Sequence, residues 1–152
     1  MNALRLAAAL TVGLLAGSLS LEGLVLVPYW RSLSPEAFAD LHAGFAPRLY
    51  RFFAPLTAAA TSLALASGLA VAWRSDRVSA DWFTVASAVL AASLLVFYRL
   101  YFHSANERLP VLAADGDDTA LSAELRRWQR IHLARTIVSV GAFVLAVLGV
   151  AV

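Results

Sequence analysis

Cysteine is absent from the 152 residues, which removes disulfides, thiolate metal sites and cysteine nucleophiles and leaves the redox compartment unmarked. Lysine is absent too: all twelve basic residues are arginine. Charged residues make up only 14% of the chain, and a net charge of +2 gives no electrostatic footprint for nucleic acid. No phosphate-binding loop, hydrolase triad or nucleic-acid module is visible. What is abundant is apolar: 61% of residues are hydrophobic and mean hydropathy is +0.73, outside the range of a soluble domain. The composition is that of a membrane protein.

Four apolar stretches run roughly from Leu6 to Val27, Phe52 to Trp73, Trp82 to Phe102 and Ile131 to Val152. Each is long enough, at 1.5 Å per residue, to cross a hydrocarbon core of ~30 Å. Residues 1–152 are therefore expected to form one all-α, four-helix transmembrane bundle with little left for a soluble domain. Ala16-Gly17-Ser18 imitates a signal cleavage site after Arg5, but the apolar run continues to Val27, so the segment is read as a retained first helix. Arg5, Arg74 and Arg77 lie on the side of the termini and the other nine arginines on the side of the first and third loops. Taken at face value, that asymmetry puts both termini outside; the expected location is a bacterial inner membrane. Setting aside Arg48, Arg51, Arg99, Arg108 and Arg135 as servants of a site reduces the bias to four against three.

The connections differ in kind. The second loop, Arg74 to Asp81, is a short polar hairpin. In the first, Ser34 is a good N-cap, Pro35 suits the first helical position and Glu36 complements the dipole. A short interfacial helix is expected from Pro35 to about Phe45, with Phe38, Leu41, His42 and Phe45 on one face. The third loop is expected to begin at Leu109-Pro110. Its Asp115-Gly116-Asp117-Asp118 segment lacks the spacing of a calcium loop and reads as a solvated turn before an Asp118 or Thr119 N-cap. Helix four then carries one stripe, Leu121, Leu125, Trp128, His132, Arg135 and Ser139, over ~50 Å.

Glu22, His42, His103, Glu107 and His132 all fall toward the same end of this bundle, and ionisable groups at membrane depth are costly to keep without a partner or task. Glu22 lies six residues before Pro28, ~9 Å inside the expected helix end, with Ser18 one turn deeper. It should stay protonated or pair with a histidine, a metal or one of Arg48, Arg51, Arg99 and Arg135. At 100° per residue Arg99, His103 and Asn106 share a face, and Glu107 stands one turn beyond His103. Against these stand plainer accounts: a helix-to-helix hydrogen bond for Glu22, an idle interfacial His42, and a solvated helix end for His103, Asn106 and Glu107. Trp82, Tyr98, Tyr101 and Trp128 serve equally as interface anchors or pocket walls. Gly13 and Gly17 form a GxxxG pair suited to close helix packing, within the chain or between copies. Pro55 should kink helix two and widen any cavity beside it.

The segment from Glu22 to Leu33, the segment from Ala46 to Leu56, Tyr101-Phe-His-Ser-Ala-Asn106 and Trp128-x-x-x-His132-x-x-Arg135-Thr136 together resemble the anthrone oxygenase-like family of small four-helix membrane proteins. The resemblance implies an oxidoreductase or oxygenase converting phenolic anthrones to quinones. Asn106, Trp128, His132 and Arg135 are the positions carried over; Ser104 stands where the family commonly has a proline, and His103 is an addition. In that reading His132 or His103 is the general base, Arg135 and Asn106 stabilise an enolate, and no cofactor is needed. A second reading is an iron-, copper- or haem-binding bundle using Glu22, His42, His103, Glu107 and His132, although the chain has His103-x-x-x-Glu107 in place of paired Glu-x-x-His motifs. A third is a non-catalytic helper or carrier gripping a lipid headgroup or partner protein. The expected partners are the lipid bilayer and a small lipophilic ligand, with no nucleic acid.

Overall fold

Backbone polar groups at membrane depth must be satisfied within their own segment, so apolar runs of this length become helices. The computed structural model describes residues 2–73 and 82–151; the second loop, with the polar hairpin expected from Arg74 to Asp81, lies outside the described residues. Helix α1 (Asn2–Leu21) passes through a π-helical turn (Glu22–Leu26) into α2 (Val27–Trp30), and α3 spans Pro35–Ala72. Helix α4 (Trp82–Phe97) passes through a second π turn (Tyr98–Phe102) into α5 (His103–Ala114), and α6 spans Asp118–Ala151. These make four rods, each long and apolar enough to cross a membrane, and the protein is an integral membrane protein.

The rods form a ring in chain order. α1 packs on α3 and α6, and α4 packs on the same two. Arg5 Nη1 donates to the Gly149 carbonyl at 3.0 Å, holding both ends of the chain together. At this end the core is made of small and medium side chains, among them Val12, Leu15, Ala60, Ala64, Ala88, Ala91 and Ala142. At the loop end it is aromatic, built on Trp30, Phe38, Tyr101, Phe102 and Trp128.

Several boundaries differ from the sequence expectation, each for a local reason. The short interfacial helix is not separate: Ser34 caps it as expected, its Oγ accepting from Ala37 N at 3.3 Å, but α3 then continues for 38 residues through Pro47 and Pro55. At 1.5 Å per residue it measures ~57 Å, nearly twice a hydrocarbon core of ~30 Å, so its first part projects beyond the hydrocarbon. Helix one does not end before Pro28. Proline lacks an N–H and its ring collides with the carbonyl four residues back in a regular helix; the π turn just ahead widens the coil, Val27 N–H bonding to Glu22 O, and the chain runs on to Trp30. Pro110 likewise sits inside α5, which reaches Ala114. The third loop is therefore only a tight turn, with Gly116 at φ 69°, a value that favours glycine. The cap of α6 is Asp117, one residue earlier than expected, whose Oδ1 accepts from Ala120 N at 2.9 Å.

The stripe on α6 holds: Leu121, Leu125, Trp128, His132 and Ser139 are all buried. Within the chain the GxxxG pair does not act as a unit. A Cβ on Gly13 would fall 2.6 Å from the Phe143 ring, so that glycine serves packing of α1 on α6 within the chain, whereas a Cβ on Gly17 would meet nothing within 4 Å.

Candidate functional site

Where the aromatic end begins, α1 carries a carboxylate inward. Glu22 opens the first π turn and is only 6% exposed. Its Oε2 lies 3.5 Å from Arg135 Nη2 and 3.8 Å from His132 Nδ1, both one helix away on α6. Of the four arginines expected to be available, Arg135 is thus the partner; Arg48, Arg51 and Arg99 are exposed. Ser18 bonds its own helix at Leu14 O.

His132 is 1% exposed and fixed on every side. Its Nε2 lies 2.9 Å from the Leu19 carbonyl. A carbonyl only accepts, so Nε2 carries the proton and Nδ1, facing Glu22, is the nitrogen free to gain or lose one. The ring stacks on Trp128 at 4.7 Å and 10°, and meets Phe102 edge-on at 6.1 Å. Opposite stands Gly23, where a Cβ would fall 2.9 Å from His132 Cδ2. The imidazole therefore occupies space that only glycine leaves open.

Arg135 is held from its other side by a ring. Its Cζ lies 4.3 Å over the face of Phe102, a cation–π contact strengthened by exclusion of water. Phe102 reaches this position because of the second π turn, which adds a residue to the coil and changes its phase. The same shift turns Arg99 outward to an exposed position, so the expected face of Arg99, His103 and Asn106 is broken at Arg99. Asn106 survives on the inner side, its Oδ1 accepting from Trp128 Nε1 at 3.0 Å.

Beside this cluster is a cavity of about 580 Å³. Leu15, Leu19, Glu22 and Arg135 form its back, α3 one wall and α4 with α5 the other. Its lining is mainly apolar, aliphatic side chains alternating with aromatic rings that include Trp30, Phe38, Phe53, Tyr98, Phe102 and Trp128. His42, His103, Asn106 and Glu107 line its outer end, where His103 Nδ1 lies 3.7 Å from Glu107 with both side chains well exposed. Of the residues expected to form the site, Glu22, His42, His103, Asn106, Glu107 and Arg135 touch this one cavity. His132 does not. It stands behind the wall, reaching the cavity through Glu22.

The arrangement alters two expectations. A general base must reach its proton; of the two histidines expected in that role His103 lines the cavity and His132 does not, and Glu22 lines it in His132's place. The iron or copper set also fails to converge: among the described residues no group of three His, Cys, Asp or Glu side chains is placed to hold a metal ion. Its members instead separate into the Glu22 and His132 pair, the exposed His103 and Glu107 pair, and His42 beside Phe38 at 5.4 Å. Tyr101, one of the aromatics with two open roles, donates through its hydroxyl to Glu124 Oε1 at 3.1 Å, and Arg108 donates to the same oxygen at 2.8 Å. This bond ties the second π turn to α6 outside the cavity.

Three further groups of the site carry no sequence signal of their own: the Leu19 carbonyl, Gly23 and Phe102. Gly23 follows Glu22 directly, and a glycine beside a buried acid is the one hint the chain offers.

Neither a curated protein nor a solved structure matches the chain. The family model described as anthrone oxygenase matches residues 47–145, a stretch that includes Phe102, Asn106, Trp128, His132 and Arg135, with Glu22 and Gly23 lying before it. That match covers well over half of the sequence, and the chain belongs to the anthrone oxygenase family.

Proposed function

We propose that the protein is a membrane-embedded oxygenase that oxidises the activated methylene of a small lipophilic phenolic or enolic substrate to a carbonyl. The observation that carries this reading is the Glu22 and Arg135 ion pair, 3.5 Å apart, at the back of a mainly apolar cavity. Glu22 Oε2 is buried without a hydrogen-bond partner, an arrangement expensive enough to call for a function.

Glu22 takes a C–H proton, leaving an enolate whose negative charge rests on the substrate oxygen. Charge is conserved across the site: Arg135 exchanges one anion, the carboxylate, for another, the enolate, and needs no new counterion. The electron-rich carbon adds dioxygen, and the hydroperoxide loses water as the second C–H proton leaves. One atom of O₂ becomes the carbonyl oxygen and the other becomes water, so the carbon gives up four electrons and dioxygen takes four. This route calls for no cofactor. His132 touches no substrate; its Nδ1, 3.8 Å from Glu22 Oε2, and its bond to the Leu19 carbonyl fix the wall against which the carboxylate stands. His132 is a positioning residue, and Asn106 positions Trp128.

The test is oxygen uptake with an anthrone-like substrate in reconstituted bilayers. Glu22→Gln keeps the shape and removes the base, and should lower turnover by roughly 10²-fold or more. Full turnover in that variant would place the base elsewhere, with His103 on the cavity wall the next position to vary.

A further inference from the structure

α3 and α4 meet tightly at one end and separate at the other. Near the termini a Cβ on Gly68 would fall 2.7 Å from Ala88 Cβ, and Ala60, Ala64, Ala88 and Ala91 share a core. Beyond Thr57 on α3 and Leu94 on α4, the helices stop touching through small side chains and become opposite walls of the cavity. Some of these wall residues are at once inside and outside. Ala58, Tyr50 and Leu95 line the cavity yet are exposed, Tyr50 to 63% and Leu95 to 45%. A residue with both properties marks a rim.

At Ala58 and Leu95 the rim lies at hydrocarbon depth. Leu95 is thirteen residues from the start of α4 at Trp82, and Ala58 fourteen from the end of α3 at Ala72. Both are thus ~20 Å along their helices, inside a hydrocarbon core of ~30 Å. The slot therefore faces acyl chains. The ionisable and amide side chains exposed in the lining, His103, Asn106 and Glu107, stand at the outer end of the cavity.

We propose that the cavity is loaded sideways from the bilayer, through the slot between α3 and α4, by a ligand whose apolar body is dissolved among the lipid chains. The proposal rests on reading the cavity as the site of a lipophilic substrate. It gives the ligand an amphipathic pose: apolar body toward the slot, acidic group against Glu22 and Arg135. Entry from water would require an apolar molecule to leave the membrane first, at a cost that grows with its buried area.

Indole fluorescence tests this without a known substrate. Trp73 and Trp82 are exposed, whereas Trp30 and Trp128 are buried and line the cavity. In a Trp73→Phe, Trp82→Phe background, the remaining indoles should lose emission in vesicles of phosphatidylcholine brominated midway along its acyl chains. Ala58→Phe with Leu95→Phe, which narrows the slot, should restore the emission, and Tyr50→Ala, which widens it, should deepen the loss. Absence of quenching overturns the proposal. So does quenching indifferent to both variants, because bromine would then reach the indoles by another route. The readout needs no turnover: quenched indoles in a protein with no oxygenase activity would remove the catalytic reading and leave the slot, and an active protein without quenching would do the reverse.

Discussion

The two ends of this bundle use opposite solutions to helix packing in a membrane. At the terminal end, small side chains bring backbones into contact: Gly68 against Ala88, Gly149 against Thr84 and Gly13 against Phe143. At the loop end, Trp30, Phe38, Phe102 and Trp128 hold the same rods apart. Lipid offers no hydrophobic drive between helices, so close van der Waals contact must hold them. The tight end supplies it, and the wide end is free to enclose a cavity and a buried charge pair. A bundle tight at both ends would have no site, and one wide at both would have little to hold it.

Removing Arg135 should produce the largest effect at the wide end. Arg135→Ala leaves Glu22 as an unpaired buried charge, and a loss of about 3–5 kcal/mol is expected, read from thermal unfolding in detergent. Adding Glu22→Leu should restore most of that stability. If the double variant is no more stable than the single one, the pair is not what makes Arg135 necessary.

A matched pair of glycine substitutions sharpens the contrast. Gly68→Ala and Gly23→Ala each drive a methyl group into an occupied position, at 2.7 Å from Ala88 and 2.9 Å from His132 respectively. Each should cost about 1–3 kcal/mol. Only Gly23→Ala should lower turnover per folded molecule, since it displaces His132 while Gly68 touches nothing near the cavity. Equal turnover in the two would detach His132 from the chemistry.

Arg135→Lys keeps the charge and loses the planar fork over Phe102. Thermal stability should change little while oxygen uptake falls; Arg126→Lys, on the exposed start of α6, should change neither. Parallel behaviour of the two would make Arg135 a topology determinant. The smallest effect belongs to Asn106→Ala, which deprives Trp128 of its acceptor and should cost about 0.5–1.5 kcal/mol, with a shift in Trp128 emission as the companion signal.

Features set by one helix face were readable in the chain. The α6 stripe from Leu121 to Ser139, the Ser34 cap and the inward position of Glu22 all follow from a period of 3.6 and from the cost of burying charge. Features that depend on two helices meeting were not. A π turn adds one residue without any residue that demands it, so a constant 100° per residue gave Arg99 the face that Phe102 takes. Pro28 and Pro110 read as ends because a proline signals a break, whereas a π turn ahead of Pro28 widens the coil and lets the helix continue past it. His132 read as a base because its position on the stripe fixes its direction, not whether a carboxylate stands between it and the cavity.

The fit of Gly23 against His132 also makes the two positions interdependent. A methyl group at position 23 would push the imidazole out of its place, so the cost of filling position 23 is set by what stands at 132: with the ring present the substitution disturbs the site, and once the ring is removed, as in His132→Ala, Gly23→Ala should cost little.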